Sequence, residues 1–250
     1  MLIYLFFFYS FYFENEVTPP RNTLIFIDKT ESVKYVGGVL NQAKSEIKDL
    51  IVKHFYREND KIVLYFIHGF TAGSKANQKF DIFRSTCKDR PLPKLHLDAC
   101  NKSYLKQLNV YRNSVLDSIS KTLEKEVGKE SKNSTDIIGA IEMLCNYRKN
   151  NNKSELQVYI FSDMIQTSNF INLNNMGQLT PANLNIKIEK DLKTIKTNYL
   201  NIQNYLLKDA TIHLMTPDLA INTPAHMKNL KYYWEKVFLR LGITSIIWDE

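Results

Sequence analysis

The sequence predicts an α/β domain built on a mostly parallel sheet with helices on both faces. Three observations carry that expectation. Short β-branched and aromatic runs alternate along the chain with longer stretches of helical periodicity. Most of the short runs are apolar throughout instead of alternating, as strands covered on both faces are. Two of them end in an aspartate, at the place where open parallel sheets gather their functional groups.

The first run, Thr23 to Ile27 (TLIFI), reads as a buried strand closed by Asp28. From Val33 the apolar residues fall at Val36, Leu40, Ala43, Ile47, Leu50 and Ile51, which is helical spacing. A second strand, Lys61 to His68, follows the polar turn Glu58-Asn59-Asp60. Residues 69–77 form a turn-rich connection, and Lys79 to Arg84 is expected to return as an antiparallel edge strand. Pro91 and Pro93 mark a loop. A long helix is expected from about Lys102 to Val127, with Leu105, Leu108, Val115, Ile119, Leu123 and Val127 on its stripe. Another helix opens near Thr135 and carries Ile137, Ile138, Ile141 and Leu144. Leu156 to Ser162 is a strand that again ends in an aspartate, Asp163. A polar loop then leads to a helix over about Ile186 to Leu207, and the strand Thr211 to Met215 follows. The last helix holds Leu230, Trp234, Val237, Phe238 and Leu241, with Gly242 where a C-cap glycine belongs, and Thr244 to Trp248 is the final strand.

At 250 residues, with 44% hydrophobic and 24% charged, the chain has ordinary globular composition and enough length for a sizeable core. The formal net charge of +7 comes from dispersed lysines, without an Arg-rich cluster or a nucleic-acid motif, so no nucleic-acid partner is expected. Cys87, Cys100 and Cys145 are too few for a disulfide framework. Cys87 and Cys100 could bridge a loop in an exported protein; three free thiols is the preferred reading. Residues 1–20 are set apart as an apolar segment and Pro linker, leaving 21–250 as the domain. Met1 to Phe13 is too short to span a bilayer but has the length of a signal-peptide core. It lacks a basic start and a small-residue cleavage site, so an anchor or an extra strand at the sheet edge stay open beside export. Any membrane contact is expected only through residues 1–13, and localisation is extracytoplasmic or membrane-associated if that segment acts, otherwise cytoplasmic.

Three segments put oxygen-bearing side chains at strand or helix ends: Asp28-Lys29-Thr30-Glu31-Ser32, Ser134-Thr135-Asp136 and Ser162-Asp163. In a doubly wound sheet they converge on one rim. Asp28, Thr30, Ser32, Thr135 and Asp163 are the candidate metal ligands. Carboxylates and hydroxyls suit a hard cation, Mg²⁺ or else Mn²⁺ or Ca²⁺. Two carboxylates just neutralise such an ion, leaving it able to attract one more carboxylate from a partner. Singly, each residue has a plainer role: Asp28 and Asp163 as turn caps, and Thr135 or Ser134 as a helix N-cap.

The segment LIFIDKTESV resembles the metal-ion-dependent adhesion site of von Willebrand factor A domains, a strand followed by D-x-S-x-S. Ser134-Thr135-Asp136-Ile137-Ile138-Gly139-Ala140-Ile141 is similar to the threonine loop of that family, and VYIFSDM to its strand ending in Ser/Thr-Asp. The three occur in the family's order, over roughly residues 22–250. The resemblance implies a three-layer fold with a six-stranded sheet whose antiparallel member is the edge strand near 79–84. It also implies a non-enzymatic adhesion or scaffold module whose metal engages an Asp or Glu of another protein. Thr30 stands where Ser is commoner, Glu31 and Met164 where Gly is. The enzymatic alternative is a phosphohydrolase resembling the haloacid dehalogenases with Asp28 as nucleophile; Thr30 then occupies the proton donor's place and cannot act as an acid near neutral pH. Ile67-His68-Gly69-Phe70 resembles the oxyanion side of α/β hydrolases, but the chain has no G-x-S-x-G elbow.

Overall fold

A computed structural model of the chain describes residues 19–28, 30, 39–69, 71, 78–83, 85, 87, 93–126, 134–152, 154–216 and 223–249. The apolar segment 1–13, Glu31 and the candidate ligand Ser32 lie outside the described residues. Six strands form one sheet: β1 (Arg21–Asp28), β2 (Lys61–Ile67), β3 (Gln78–Asp81), β4 (Glu155–Phe161), β5 (Ala210–Met215) and β6 (Ser245–Asp249). Their order is β3-β2-β1-β4-β5-β6, and only the edge strand β3 runs antiparallel. The winding therefore reverses between β1 and β4, the topological switch point at which such sheets bind ligands.

The two-residue period of β1 divides the core. Leu24 and Phe26 point to one face, where they pack with α3 (Ile137–Asn150), α4 (Pro181–Asn198) and α5 (Pro224–Arg240). Ile25 and Ile27 point to the other, against α1 (Val39–His54) and α2 (Lys94–Glu126). These are the three layers the sequence predicts. Helix α3 is buried on every side from Ile137 to Cys145, which explains its run of apolar and small residues. Helices α4 and α5 open alike, with Thr180 and Thr223 accepting the N3 amide and Pro181 and Pro224 at the first helical position. Helix α5 ends at Arg240 and is capped by Leu241; Gly242 just beyond has a φ of +88°, the left-handed conformation glycine accepts without strain.

The structure differs from the sequence reading at several places. The edge strand expected over Lys79 to Arg84 is Gln78–Asp81, and the helix expected from Ile186 begins at Pro181, behind its Thr180 cap. Helix α2 begins at Lys94, directly after Pro93 and about two turns before the expected Lys102. Its first turns carry little apolar pattern because they are mostly exposed, with Leu95 at 80%. The helix expected to run to Leu207 ends at Asn198; Ile202 and Leu206, which continue its stripe, reach the same core from a separate 3₁₀ turn, Asn204–Leu207, and the bend before it. Cys87 and Cys100 are joined in a disulfide, which corrects the preference for three free thiols; Cys145 is free and buried. Among the described residues, no helix is long and apolar enough to cross a membrane.

Candidate cation site at the carboxyl rim

Parallel pairing sets Ile27 beside Phe161, so β1 and β4 leave the sheet at the same level. Asp28, the last residue of β1, therefore meets Ser162, the first residue after β4. Ser162 Oγ donates to Asp28 Oδ2 at 2.6 Å. The other carboxylate oxygen, Oδ1, accepts from the Thr30 amide at 2.9 Å and the Thr30 hydroxyl at 2.8 Å. The tight turn after β1 thus folds back onto its own aspartate. Thr135 Oγ1 in turn lies 3.2 Å from Thr30 Oγ1. Residues more than a hundred positions apart are thereby brought together.

Asp163 completes the group on the β4 side. Its Oδ1 accepts the Ile165 amide at 2.9 Å, while Ser162 Oγ accepts the Met164 amide at 3.0 Å. The turn requires Met164 at φ 60°, a conformation costing a non-glycine residue roughly 1–2 kcal/mol. It is held there from α5, where Trp234 Nε1 donates to the Met164 carbonyl at 2.8 Å. The backbone takes a conformation that glycine favours, and a fully buried methionine occupies it.

All four described candidate ligands are buried, Asp28 at 3%, Thr30 at 4%, Thr135 at 2% and Asp163 at 1% exposure. Two carboxylates in that setting repel each other and lack water. Burial first, then the charge of Asp163, raise the Asp28 carboxyl from 3.8 to about 6, against the opposing pull of the Ser162 and Thr30 hydrogen bonds. A cation between the two would reverse both unfavourable effects. Among the described residues no group of three or more His, Cys, Asp or Glu is placed to hold a metal ion. The donors at the rim are two carboxylates and hydroxyls, a set that fits a hard cation better than a soft one.

The helix N-cap is neither Thr135 nor Ser134 but Asp136, whose carboxylate accepts the Gly139 amide. Around it lies a frame that the sequence reading did not find. Asp136 also receives the Tyr199 hydroxyl at 2.8 Å, the Gln166 side-chain amide at 3.2 Å and the Thr71 backbone amide at 3.3 Å. Gln166 Oε1 accepts the Ile137 amide at 2.6 Å, and Thr167 Oγ1 accepts the Thr135 amide at 2.8 Å. Asp136 could have been identified from its place immediately before the apolar residues Ile137 and Ile138 that open the helix; Gln166 and Tyr199 carry no such local signal.

The histidines lie apart from this cluster or at its margin. His54 is packed on the opposite face, between Arg21 and Tyr159, and His213 stacks on Tyr159 at 4.3 Å. His226, in the first turn of α5, is half-buried; burial lowers its pKa, and the charge of Asp163 partly offsets that.

No protein-family model matches the chain, and no curated protein matches it. Among solved structures the chain is similar to an aerotolerance-related membrane protein of Bacteroides fragilis, at 12% identity, covering 92% of each chain, with a TM-score of 0.37. It is also similar to proximal thread matrix protein 1 of the mussel byssus, at 10% identity and TM-score 0.37, covering 90% of this chain and 48% of that one. A third is the pilus adhesin SpaC of Lactobacillus rhamnosus GG, at 11% identity and TM-score 0.39, covering 94% of this chain and 28% of that one.

Proposed function

We propose that the chain is a divalent-cation-dependent protein-binding module of the von Willebrand factor A type. The observation that carries the reading is the pair of buried carboxylates, Asp28 and Asp163, set with the Thr30 and Thr135 hydroxyls at the switch point of the sheet. Burying two such charges side by side is costly, and a hard cation is the ligand that repays the cost. Ser32 would join them as the last hydroxyl of D-x-T-x-S. With Asp28 and Asp163 neutralising the ion, its remaining position attracts an aspartate or glutamate of a partner. The loop over 165–180, which follows β4 at the same rim, and the chain after Gly69 would set which partner is accepted.

The Cys87–Cys100 disulfide supports an oxidising compartment and agrees with export by the apolar N-terminal segment. Calorimetric titration of the chain with Mg²⁺ and with Mn²⁺ tests the reading. Saturable one-to-one binding, absent in Asp28→Ala, is the expected result. Absence of heat with either ion, with no shift in melting temperature, would sink it. Turnover of a generic phosphate ester, lost in Asp28→Asn, would replace it with the phosphohydrolase reading.

A further inference from the structure

Resting on the cation-site reading, we propose that Asp136 is a positioning residue of this site and that Tyr199 holds it in place from the end of α4. Asp136 is buried, and among the described residues it accepts from four donors: the amides of Thr71 and Gly139, the side-chain amide of Gln166 and the hydroxyl of Tyr199. A carboxylate, which only accepts, satisfies all of them. The donors come from the loop after β2, the first turn of α3, the loop after β4 and the residue that caps α4. One side chain therefore ties together the segments that meet at the rim.

Thr135 is the preceding residue in the chain, and its backbone is clamped on both sides by the loop after β4. Its amide donates to Thr167 Oγ1 and its carbonyl accepts the Thr167 amide at 3.0 Å. Gln166, bonded to Asp136, accepts the amides of Ile137 and Ile138. The direction in which the Thr135 hydroxyl faces Thr30 is thus fixed by contacts that do not involve an ion. Outer contacts of this kind set how well a ligand is presented. The Tyr199 hydroxyl is the outermost link, and removing it loosens Asp136 without changing charge and with little change in volume.

A matched control exists in the same fold. Tyr233 of α5 donates its hydroxyl to buried Asp191 of α4 at 3.0 Å, another tyrosine-to-carboxylate bond in the helix layer. Tyr199→Phe and Tyr233→Phe each remove one such bond, so both should lower the melting temperature. Mg²⁺ affinity, measured by calorimetry well below the melting transition, should fall about tenfold in Tyr199→Phe and stay within about twofold of wild type in Tyr233→Phe. Asp136→Asn should fall further, because its amide nitrogen turns a donor toward donors. Wild-type affinity in Tyr199→Phe, or an equal loss in both tyrosine variants, would overturn the inference while leaving the cation site standing. Failure of the wild-type chain to bind Mg²⁺ or Mn²⁺ would instead remove the reading on which it rests.

Discussion

Asp28→Asn separates the cost of the rim from its use. In the metal-free fold the Asp28 carboxyl sits near 6 where its ordinary value is 3.8. Keeping it ionised above that value costs roughly 3 kcal/mol, at about 1.4 kcal/mol per pH unit. Asparagine removes the charge and keeps the shape. Its amide oxygen can still accept from the Thr30 amide and hydroxyl, but its nitrogen turns toward Ser162 Oγ, which now donates to Asp28 and accepts from Met164. Rearranging that hydroxyl costs on the order of 1 kcal/mol. The net gain of about 2 kcal/mol should raise the melting temperature in chelator by about 4–8 °C at pH 7.5 for a domain of this size. The sign with pH follows from the raised value. Between about 6 and 3.8 the folded protein holds a proton that the unfolded chain has released, so the wild type gains stability as pH falls through that range. The difference between variant and wild type should therefore shrink to below about 1 kcal/mol by pH 5 and reverse slightly by pH 4, where only the hydroxyl cost remains. In Mg²⁺ the order inverts, with the wild type stabilised and the variant unmoved. Calorimetric melts of both proteins in chelator and in Mg²⁺, at pH 7.5 and pH 5, read all of this. A variant that melts below the wild type in chelator at pH 7.5 would show that Asp28 is a structural cap and not a strained ligand.

The remaining predictions address the scaffold. Gly242→Ala should cost about 3 kcal/mol or more, because a side chain at φ +88° is strained and its Cβ would lie 2.0 Å from the Asn204 carbonyl oxygen; urea denaturation measures it. Reducing the Cys87–Cys100 bridge should lower stability by up to about 3 kcal/mol, from the loop entropy of a 13-residue separation, and a Cys87→Ser, Cys100→Ser double variant should show no effect of reductant. His54 opposes Asp28 in its pH dependence. Burial, then the charges of Arg21, Lys53 and His213, lower its pKa from 6.5 to about 4, so its contribution is intact above 6.5 and is lost as pH falls toward 4. His54→Gln should flatten that part of the stability profile, read as urea midpoints across pH 4–7.

How much of this was legible in the sequence depends on the range of each interaction. The strands of the parallel sheet were readable because burial on both faces demands unbroken apolar runs such as TLIFI and KIVLYFI, and the structure places both in adjacent central strands. Gly242 was readable for an equally local reason, since a helix C-cap needs a positive φ. The start of α2 was not. Its first turns lie mostly in solvent, so neither burial nor spacing marks them, and Pro93 was the better guide to where the helix begins.

The rim divides in the same way. Asp28 and Asp163 could be found because a strand ending in aspartate is a local pattern, and the topology brings two such ends side by side. Its frame could not, because the bonds that hold Thr135 join residues 30 to 65 positions apart and follow from how the loops pack. A capping aspartate and a candidate ligand stand next to each other in Thr135-Asp136; the sequence reading named Thr135 as ligand and Thr135 or Ser134 as cap, and gave Asp136 no role of its own. Geometry assigns the roles: the aspartate turns inward to four donors, and the threonine is left facing Thr30. Under the cation-site proposal, the residues that would face an ion follow from local patterns, and the direction in which they would face it follows from long-range packing. Substitutions in the frame should accordingly weaken the site without touching it.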